Sequence, residues 1–354
     1  MQSASRRTTS PPCWWGTTPP DLTDAQSVRP TGGANASRRS LLLTLLLACH
    51  ASKPETGADP EVDTDTGAEA DPTTVPLAGA CAMDQAFGGF DIESNPYLTQ
   101  AGGAVSNGVV PISILEEVGA GGDCLLLRRN NPHCDPSCGP SETCDFDGAC
   151  IPYPVQQDVG TVTVAGLFEA VEMEASSPGF SYYDVDMPHP AYAPGSLLTL
   201  RAAGGAGEPW GLYGVGVLPL ELASSDWLVD PHSDYTVAWN APDTTVRSGV
   251  HLRFNIDQHG TTPVLLDCTF ADTGQGTIPG SLLTAFTSFG VTGFPSTQIE
   301  RRTVDSLALG GGCVDFEVKW GVVPTLDLEG YTPCAEDEDC PAEQTCNQTL
   351  EICE

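Results

Sequence analysis

Apolar and polar residues alternate along short segments in the second half of the chain. The alternation is unbroken from Val250 to Ile256 and from Val314 to Trp320. Because successive side chains of a β-strand point to opposite faces, each segment predicts a strand with one buried and one solvated face. Other segments of strand-like composition, separated by turn-forming Gly, Pro, Asp and Ser, are 161–167, 197–201, 210–217, 235–239, 264–270 and 297–303.

About eight strands of this length, each half solvated, predict an all-β fold. We expect an antiparallel β-sandwich over residues 153–325, with jelly-roll and other sandwich topologies both open. The immunoglobulin pattern does not fit, because Trp239 precedes both Cys268 and Cys313 instead of lying between them.

A single helix interrupts the strand pattern. Pro279 can begin this helix and Gly290 can end it. Its apolar face would consist of Leu282, Leu283, Phe286 and Phe289. We expect the helix to cover one end of the sandwich.

Two clusters of cysteines flank the predicted sandwich. Four cysteines in residues 131–152 follow C-x3-C-x5-C-x5-C, and four in residues 326–354 follow C-x5-C-x5-C-x6-C. Segments this short cannot form a hydrophobic core, so each needs covalent cross-links. We predict disulfides that pair first with third and second with fourth, although four cysteines allow three pairings. Zinc is the alternative ligand, but neither cluster has the C-x2-C pair typical of zinc sites.

The other cysteines after residue 80 predict two further disulfides. Residues 77–130 contain short apolar runs and predict a small β-rich module, whose ends Cys81 and Cys124 would join. Cys268 and Cys313 would close a loop within the sandwich. The complete set of predicted disulfide cysteines is Cys81, Cys124, Cys134, Cys138, Cys144, Cys150, Cys268, Cys313, Cys334, Cys340, Cys346 and Cys353.

The composition is strongly acidic, with 14 Lys+Arg, 47 Asp+Glu and a formal net charge of −33. Nucleic acid is excluded as a partner, because binding it requires Lys and Arg that neutralise phosphates. Residues 49–76 are rich in Asp, Glu, Thr, Gly and Pro and contain few apolar side chains. Such a segment cannot bury enough surface to offset its ordering entropy, so it predicts a disordered tether.

An export signal precedes this tether. Arg38 and Arg39 lie before a leucine-rich run that ends in Leu46-Leu47-Ala48-Cys49. A run of about ten apolar residues is too short to span a ~30 Å hydrocarbon core and is typical of a signal peptide, here residues 28–48. Residues 1–27 show no periodic pattern. We expect translation to begin at Val28; a genuine N-terminal extension is the alternative.

The sequence that ends at Cys49 resembles the lipobox of bacterial lipoproteins, whose cysteine receives a lipid anchor after cleavage. With the acidic tether and the two cysteine clusters, the whole chain resembles the cysteine-rich, acidic, uncharacterised surface lipoproteins of some Gram-negative bacteria. The resemblance implies lipidation of Cys49 and a membrane partner through that lipid. It also implies an outer-membrane or cell-surface location, since His50 is not the aspartate associated with inner-membrane retention. It implies no activity.

The chain contains no catalytic motif, and no catalytic, cofactor-binding or metal-binding residues are predicted. There is no G-x-S-x-G sequence, and none of the 6 histidines forms an H-x-x-x-H pair. His251 lies on the polar phase of a strand and is predicted to be an exposed surface residue. Asp257 and His259 fall in a predicted hairpin turn, where conformational preference alone explains Asp and Gly.

Two carboxylates at alternate positions of an extended segment, Asp184 and Asp186, could bind Ca²⁺ together with the loop that begins at Asp272. A solvated acidic face is the preferred interpretation, since no EF-hand spacing is present.

These observations favour an exported, lipid-anchored, non-enzymatic surface protein with a structural, adhesive or binding role toward an unknown glycan or protein. A secreted hydrolase or a Ca²⁺-supported carbohydrate-binding protein is the alternative. A cytoplasmic zinc-ribbon protein is a third hypothesis, which the zinc interpretation of the cysteine clusters would support.

Overall fold

The chain folds into β-strands with one short helix in its described part. The computed structural model describes residues 74–242, 247–256, 264–293 and 295–354. Its elements in chain order are β1 (Ala86–Ser94), β2 (Thr99–Ser106), a 3-10 turn (Pro111–Ser113), β3 (Leu115–Gly121), β4 (Cys124–Arg129), β5 (Glu142–Cys144), β6 (Cys150–Pro152), β7 (Gln156–Gln157), β8 (Val162–Ala165), β9 (Val171–Met173), β10 (Tyr182–Asp184), β11 (Leu197–Ala202), β12 (Trp210–Val215), β13 (Asp226–Val229), β14 (Tyr235–Ala238), β15 (Gly249–Asn255), β16 (Val264–Ala271), β17 (Gln275–Ile278), α1 (Gly280–Thr287), β18 (Ser296–Leu309), β19 (Gly312–Val322), β20 (Thr325–Leu328), a 3-10 turn (Asp337–Asp339), β21 (Cys346–Asn347) and β22 (Ile352–Cys353).

Several sequence predictions concern residues outside the described ranges. These are the leader, the signal peptide with Cys49, the tether up to residue 73 and the turn that contains Asp257 and His259.

One ten-stranded sheet forms the base of the fold. Its strand order is β10-β2-β1-β19-β18-β15-β16-β4-β3, and β7 pairs with β2. The neighbours are antiparallel except for β1 and β19, which run parallel, so the sheet is mixed. The prediction of a purely antiparallel sandwich is corrected here, because alternation along a strand defines its faces and not the direction of its partner.

A second layer of smaller sheets covers one face of the large sheet. It contains the four-stranded sheet β12-β11-β8-β9 and the two-stranded pairs β13-β20 and β14-β17. At Gly214 in β12, an added Cβ would lie 2.5 Å from the Val318 side chain of β19, so glycine permits the close approach of the layers. The side chains between the layers form one hydrophobic core. The predicted all-β sandwich class is confirmed.

Residues 77–130 belong to the large sheet instead of forming a separate module. β1 lies beside β19, and β4 lies beside β16, where Leu126 pairs with Leu266. The disulfides therefore join neighbouring strands, as Cys124–Cys268, or anchor the segment before β1, as Cys81–Cys313. The predicted bonds Cys81–Cys124 and Cys268–Cys313 are wrong, because they assumed that each segment closes on itself.

The two cysteine-rich segments are cross-linked in the predicted alternating pattern. The first contains Cys134–Cys144 and Cys138–Cys150, and the second contains Cys334–Cys346 and Cys340–Cys353. Since each sulfur is bonded to another sulfur, none of these cysteines offers a thiolate to zinc.

The helix α1 lies at the predicted place, with Pro279 as its N-cap. Leu282, Leu283 and Phe286 are buried, and Leu282 packs over glycines of β3. The predicted apolar face is one residue too long. Phe289 follows the end of the helix and is exposed.

Candidate functional site

The face of the large sheet opposite the second layer presents charged side chains. Across five neighbouring strands, β16, β15, β18, β19 and β1, acidic and basic side chains alternate in a set that we call the charged row: Asp267, Arg253, His251, Glu300, Arg302, Glu317, Lys319 and Asp91. These residues occupy the polar positions of strands whose alternate, apolar side chains form the core.

Short contacts link the charged row from strand to strand. Arg302 Nη1 lies 2.8 Å from Glu317 Oε1, and Lys319 Nζ lies 2.6 Å from Asp91 Oδ2. Arg253 Nε donates to Asp267 Oδ2 over 2.8 Å. Each of these carboxylates therefore has a cationic neighbour within the sheet.

His251 lies in the charged row with only 3% of its surface exposed. Its Nε2 is 2.9 Å from Asp267 Oδ1, and its Nδ1 is 3.1 Å from Glu300 Oε1. The prediction that His251 is an exposed surface residue is wrong. Alternation places the ring correctly on the polar face, but there it is held between the carboxylates of Asp267 on β16 and Glu300 on β18. Both ring nitrogens are occupied by carboxylates, which fits a structural imidazolium better than a catalytic base.

The pKa values of His251, Asp267 and Glu300 are shifted in the directions that favour the charged form of each group. Burial alone would lower the pKa of His251, but hydrogen bonds to Asp267 and Glu300 outweigh it and raise that pKa. Burial would raise the pKa of Asp267, yet the hydrogen bond and charge of His251, with those of Arg253, bring it to about 2. The pKa of Glu300 is also lowered, since its bond to His251 and nearby cations outweigh burial.

These shifts predict a stability maximum in mildly acidic solution. The carboxylates Asp267 and Glu300 contribute fully above about pH 4, and their contribution is lost as pH falls through their lowered pKa values. His251 contributes fully below about pH 6.5, and its contribution is lost as pH rises through its raised pKa. We expect the free energy of unfolding, measured in urea from pH 3 to 9, to include a maximum between about pH 4 and 6.5.

Replacement of His251 separates this effect from general charge repulsion. His251→Gln should cost about 2 kcal/mol at pH 5 and less at pH 9, because the charged hydrogen bonds exist mainly at the lower pH. The matched control is His133→Gln, at an exposed histidine far from the trio in sequence. Equal losses at both pH values would contradict the assignment of a charged His251.

A groove adjoins the charged row where β10, β2, β1 and β19 lie side by side. The register places Tyr183, Gly102, Asp91 and Glu317 in one cross-strand row. The groove has a volume of about 720 Å³. Backbone of Gly89, Gly102 and Gly103 forms much of its floor, and we call it the glycine-floored groove. Its polar walls include Asp91, Glu93, Gln100, Tyr183, Asp315 and Glu317.

The absence of a side chain at Gly102 keeps the centre of this groove open. A Cβ at Gly102 would lie 3.6 Å from the Tyr183 ring and 3.9 Å from Asp91 Oδ1. These are ordinary contact distances, so the backbone would accept a larger residue, but that side chain would fill the space between ring and carboxylate. Tyr183 is 62% exposed and forms one wall.

Hydrogen bonds fix several polar groups around the groove. Gln100 Nε2 donates to Glu93 Oε2 over 3.2 Å, and the Cys81 backbone N–H donates to Asp315 Oδ1 over 2.8 Å. Burial raises the pKa of Asp315, which this backbone bond only partly offsets. The groove thus combines oriented carboxylate acceptors with an amide donor.

The predicted Ca²⁺ candidates do not come together. Asp184 Oδ1 accepts a hydrogen bond from the backbone of Asp186 over 2.9 Å. Asp272 is instead buried against Arg301, with 2.7 Å between Oδ2 and Nε. Within the described ranges, none of these three carboxylates belongs to a cluster of potential metal ligands.

Arg301 is a feature that the sequence analysis overlooked. It is fully buried on the core face, where its guanidinium also donates to the carbonyl oxygens of Pro219 and Asn240. The sequence does indicate this burial, because Arg301 is two residues from Ile299 and therefore lies on the same, apolar face of the strand.

No protein-family model and no curated protein matches the chain. Among solved structures it is similar to a Ca²⁺-stabilised adhesin with which an Antarctic bacterium binds ice, at 13% identity and a TM-score of 0.17, over 71% of this chain and 51% of the adhesin. The chain thus spans about half the length of that adhesin. A 1.5-MDa bacterial ice-binding adhesin matches at 12% identity and a TM-score of 0.17, over 71% of this chain and 68% of the other.

The FN1–FN3 domains of chicken CNTN1 match at 10% identity and a TM-score of 0.16, over 63% of this chain and 70% of theirs. At such TM-scores these likenesses support no conclusion about the chain. Among the residues that the structure describes, no helix has the length and apolar character needed to cross a membrane.

Proposed function

We propose that this chain is an exported, lipid-anchored, non-enzymatic surface protein that binds a ligand on the polar face of its large sheet. The observation that supports export is the disulfide content. All twelve cysteines that the sequence predicts to form disulfides do so, in six bonds. Such bonds persist in oxidising compartments and are rare in the cytosol. Lipidation at Cys49 then holds the exported chain at the outer membrane or cell surface.

The glycine-floored groove supports the binding role. It is a concave surface with several polar side chains in its walls, and its volume lies within the range of about 300–1,000 Å³ typical of ligand pockets. Strands position its side chains more rigidly than loops would. A non-enzymatic role is favoured because His251 has both ring nitrogens engaged and the carboxylates of Asp91 and Glu317 have cationic partners.

A secreted glycoside hydrolase is the second candidate, and one observation favours it. The raised pKa of Asp315, beside Glu317 in the same groove, is the property that a general acid requires. Release of reducing ends from an oligosaccharide, lost in Asp315→Asn, would establish this activity in place of simple binding.

Lipid anchoring is tested by replacing the predicted lipidation site. Cys49→Ser should move the protein from the membrane fraction to the soluble fraction and abolish labelling with radioactive palmitate, because the modified thiol is gone. Globomycin should cause the precursor of the wild-type chain to accumulate. Thr56→Ser, a substitution in the predicted tether that keeps Cys49, is the matched control and should fractionate like wild type. A Cys49→Ser protein that stays membrane-bound would refute the anchor.

A further inference from the structure

The glycine-floored groove has the chemistry of a saccharide site. We propose that it binds an uncharged oligosaccharide, with a sugar ring on Gly102 between the Tyr183 ring and the Asp91 carboxylate. This inference rests on the proposed binding role and names the ligand class.

The first argument is shape. The cross-strand row runs from Tyr183 through Gly102 to Asp91, and adjacent strands are about 4.8 Å apart. A Cβ at Gly102 would lie 3.6 Å from the Tyr183 ring and 3.9 Å from Asp91 Oδ1, so ring and carboxylate stand within about 7.5 Å of each other, across a floor that has no side chain. A pyranose ring fits edge-on into such a gap, with its C–H face against the aromatic ring and its hydroxyls toward the carboxylate.

The second argument is the balance of donors and acceptors. Sugar hydroxyls both donate and accept, so they require both kinds of partner in one site. Asp91, Glu93 and Glu317 provide oxygen acceptors in the groove, and the Gln100 amide provides N–H donors there. Lys319 lies beside the groove, where its Nζ is bonded to Asp91. All of these side chains project from regular strands of one sheet, so their positions are set before a ligand arrives.

The third argument is charge, and it selects among ligand classes. An anionic glycan or phosphate is disfavoured because Asp91, Glu93, Asp315 and Glu317 all line the groove. A cationic peptide would find the two carboxylates of the central row already paired, Asp91 with Lys319 at 2.6 Å and Glu317 with Arg302 at 2.8 Å, so only Glu93 and Asp315 remain to attract it. An uncharged ligand that forms hydrogen bonds without displacing these ion pairs remains the best fit.

The wall residue Tyr183 is the aromatic contact in this site. Its side chain is 62% exposed although it belongs to a strand of the large sheet. Exposed tyrosines offer an apolar ring face and a polar hydroxyl, which is why they are frequent in binding surfaces. Tyr97 is more exposed still, at 88%, but it lies in the turn between β1 and β2 and does not line the groove.

The test uses the soluble full-length Cys49→Ser protein. Isothermal titration calorimetry would be run with maltotetraose, cellotetraose, chitotetraose, mannotetraose and xylotetraose, and with oligogalacturonate and a Lys-rich peptide as charged probes. At least one uncharged oligosaccharide should bind with a Kd in the micromolar to low millimolar range. Because no net charge is involved, its Kd should change less than twofold between 50 and 500 mM NaCl.

Two variants locate the binding, and one controls for them. Tyr183→Ala should weaken binding at least tenfold, and Gly102→Leu should abolish it by filling the floor between ring and carboxylate. Tyr97→Ala removes an exposed tyrosine outside the groove and should leave the Kd unchanged. Thermal melts check that Gly102→Leu folds. If it does not, Tyr183→Ala alone decides, because its exposed ring contributes little to folding.

Three outcomes would overturn the inference. The first is that no uncharged oligosaccharide binds. The second is that binding is insensitive to Tyr183→Ala. The third is that the Lys-rich peptide or oligogalacturonate binds more tightly in a Tyr183-dependent way. Failure of the proposed surface location would show separately, as a wild-type protein absent from the membrane fraction, and would leave the measured Kd values intact.

Discussion

Arg301→Met is expected to lower the free energy of unfolding by about 3–5 kcal/mol, because it leaves Asp272 charged and deprived of its cation in the protein interior. In the wild-type chain Asp272 receives the Arg301 guanidinium at 2.7 Å and the Trp239 indole N–H at 2.8 Å. The guanidinium also donates a hydrogen bond to the carbonyl oxygen of Pro219. Methionine fills much of the volume but provides none of these donors.

The measurement is urea denaturation of the soluble protein at pH 7, with two comparisons. Arg302→Met, at the next residue of β18 but on the opposite face, should cost less, about 1–2 kcal/mol, because Arg302 and its partner carboxylates keep some contact with solvent. The double variant Arg301→Met/Asp272→Leu should recover part of the loss, since it removes the unpaired charge as well. Equal costs at Arg301 and Arg302 would contradict the role of the buried pair.

Removal of the Cys81–Cys313 disulfide is expected to cost about 4–5 kcal/mol. The two cysteines are 232 residues apart in sequence, and with Cys124–Cys268 intact their bond closes a loop of about 90 residues in the unfolded chain. Loops of about 100 residues correspond to about 4.7 kcal/mol in the chain-entropy model. Both cysteines are only half-buried, so serine at each position disturbs the core little.

The matched control is the double serine variant of Cys134 and Cys144, which are 10 residues apart. The same model gives about 3 kcal/mol for a loop of comparable length. Guanidinium denaturation under non-reducing conditions should therefore show the larger loss for Cys81→Ser/Cys313→Ser. A smaller loss there than in the control would show that loop closure is not the source of stability.

The sequence predicts those features of the fold that depend on neighbouring residues, such as the faces of a strand or the start of a helix. The alternation from Val250 to Ile256 assigns each side chain to the correct face, and the helix near residue 280 begins where Pro279 predicts. β1 escaped prediction, because Gly88 and Gly89 interrupt its alternation. Pairing partners are not local, which is why the two long-range disulfides were assigned wrongly while the bonds within each short module were assigned correctly.

The candidate site was less predictable than the fold for the same reason. Nothing in the sequence near Tyr183 indicates that it faces Gly102 and Asp91, since this relation exists only through the register of three strands. The polar phase identifies His251 as lying on the same face, but its burial depends on carboxylates contributed by two other strands. Sites of this kind appear only when the sheet is assembled.

The parallel pairing of β1 with β19 has a consequence for biogenesis. Residue 89 pairs with residue 315, so one edge of β1 waits for a strand that is synthesised much later. Folding dominated by such distant pairings is slow, typically milliseconds to seconds, because loop closure precedes any gain from contacts. β1 can pair with β2 as soon as both strands have emerged, but in a chain exported as proposed its other edge would stay unpaired until β19 had crossed. If the chain is exported as proposed, we expect chaperones that protect exposed strand edges to increase its yield.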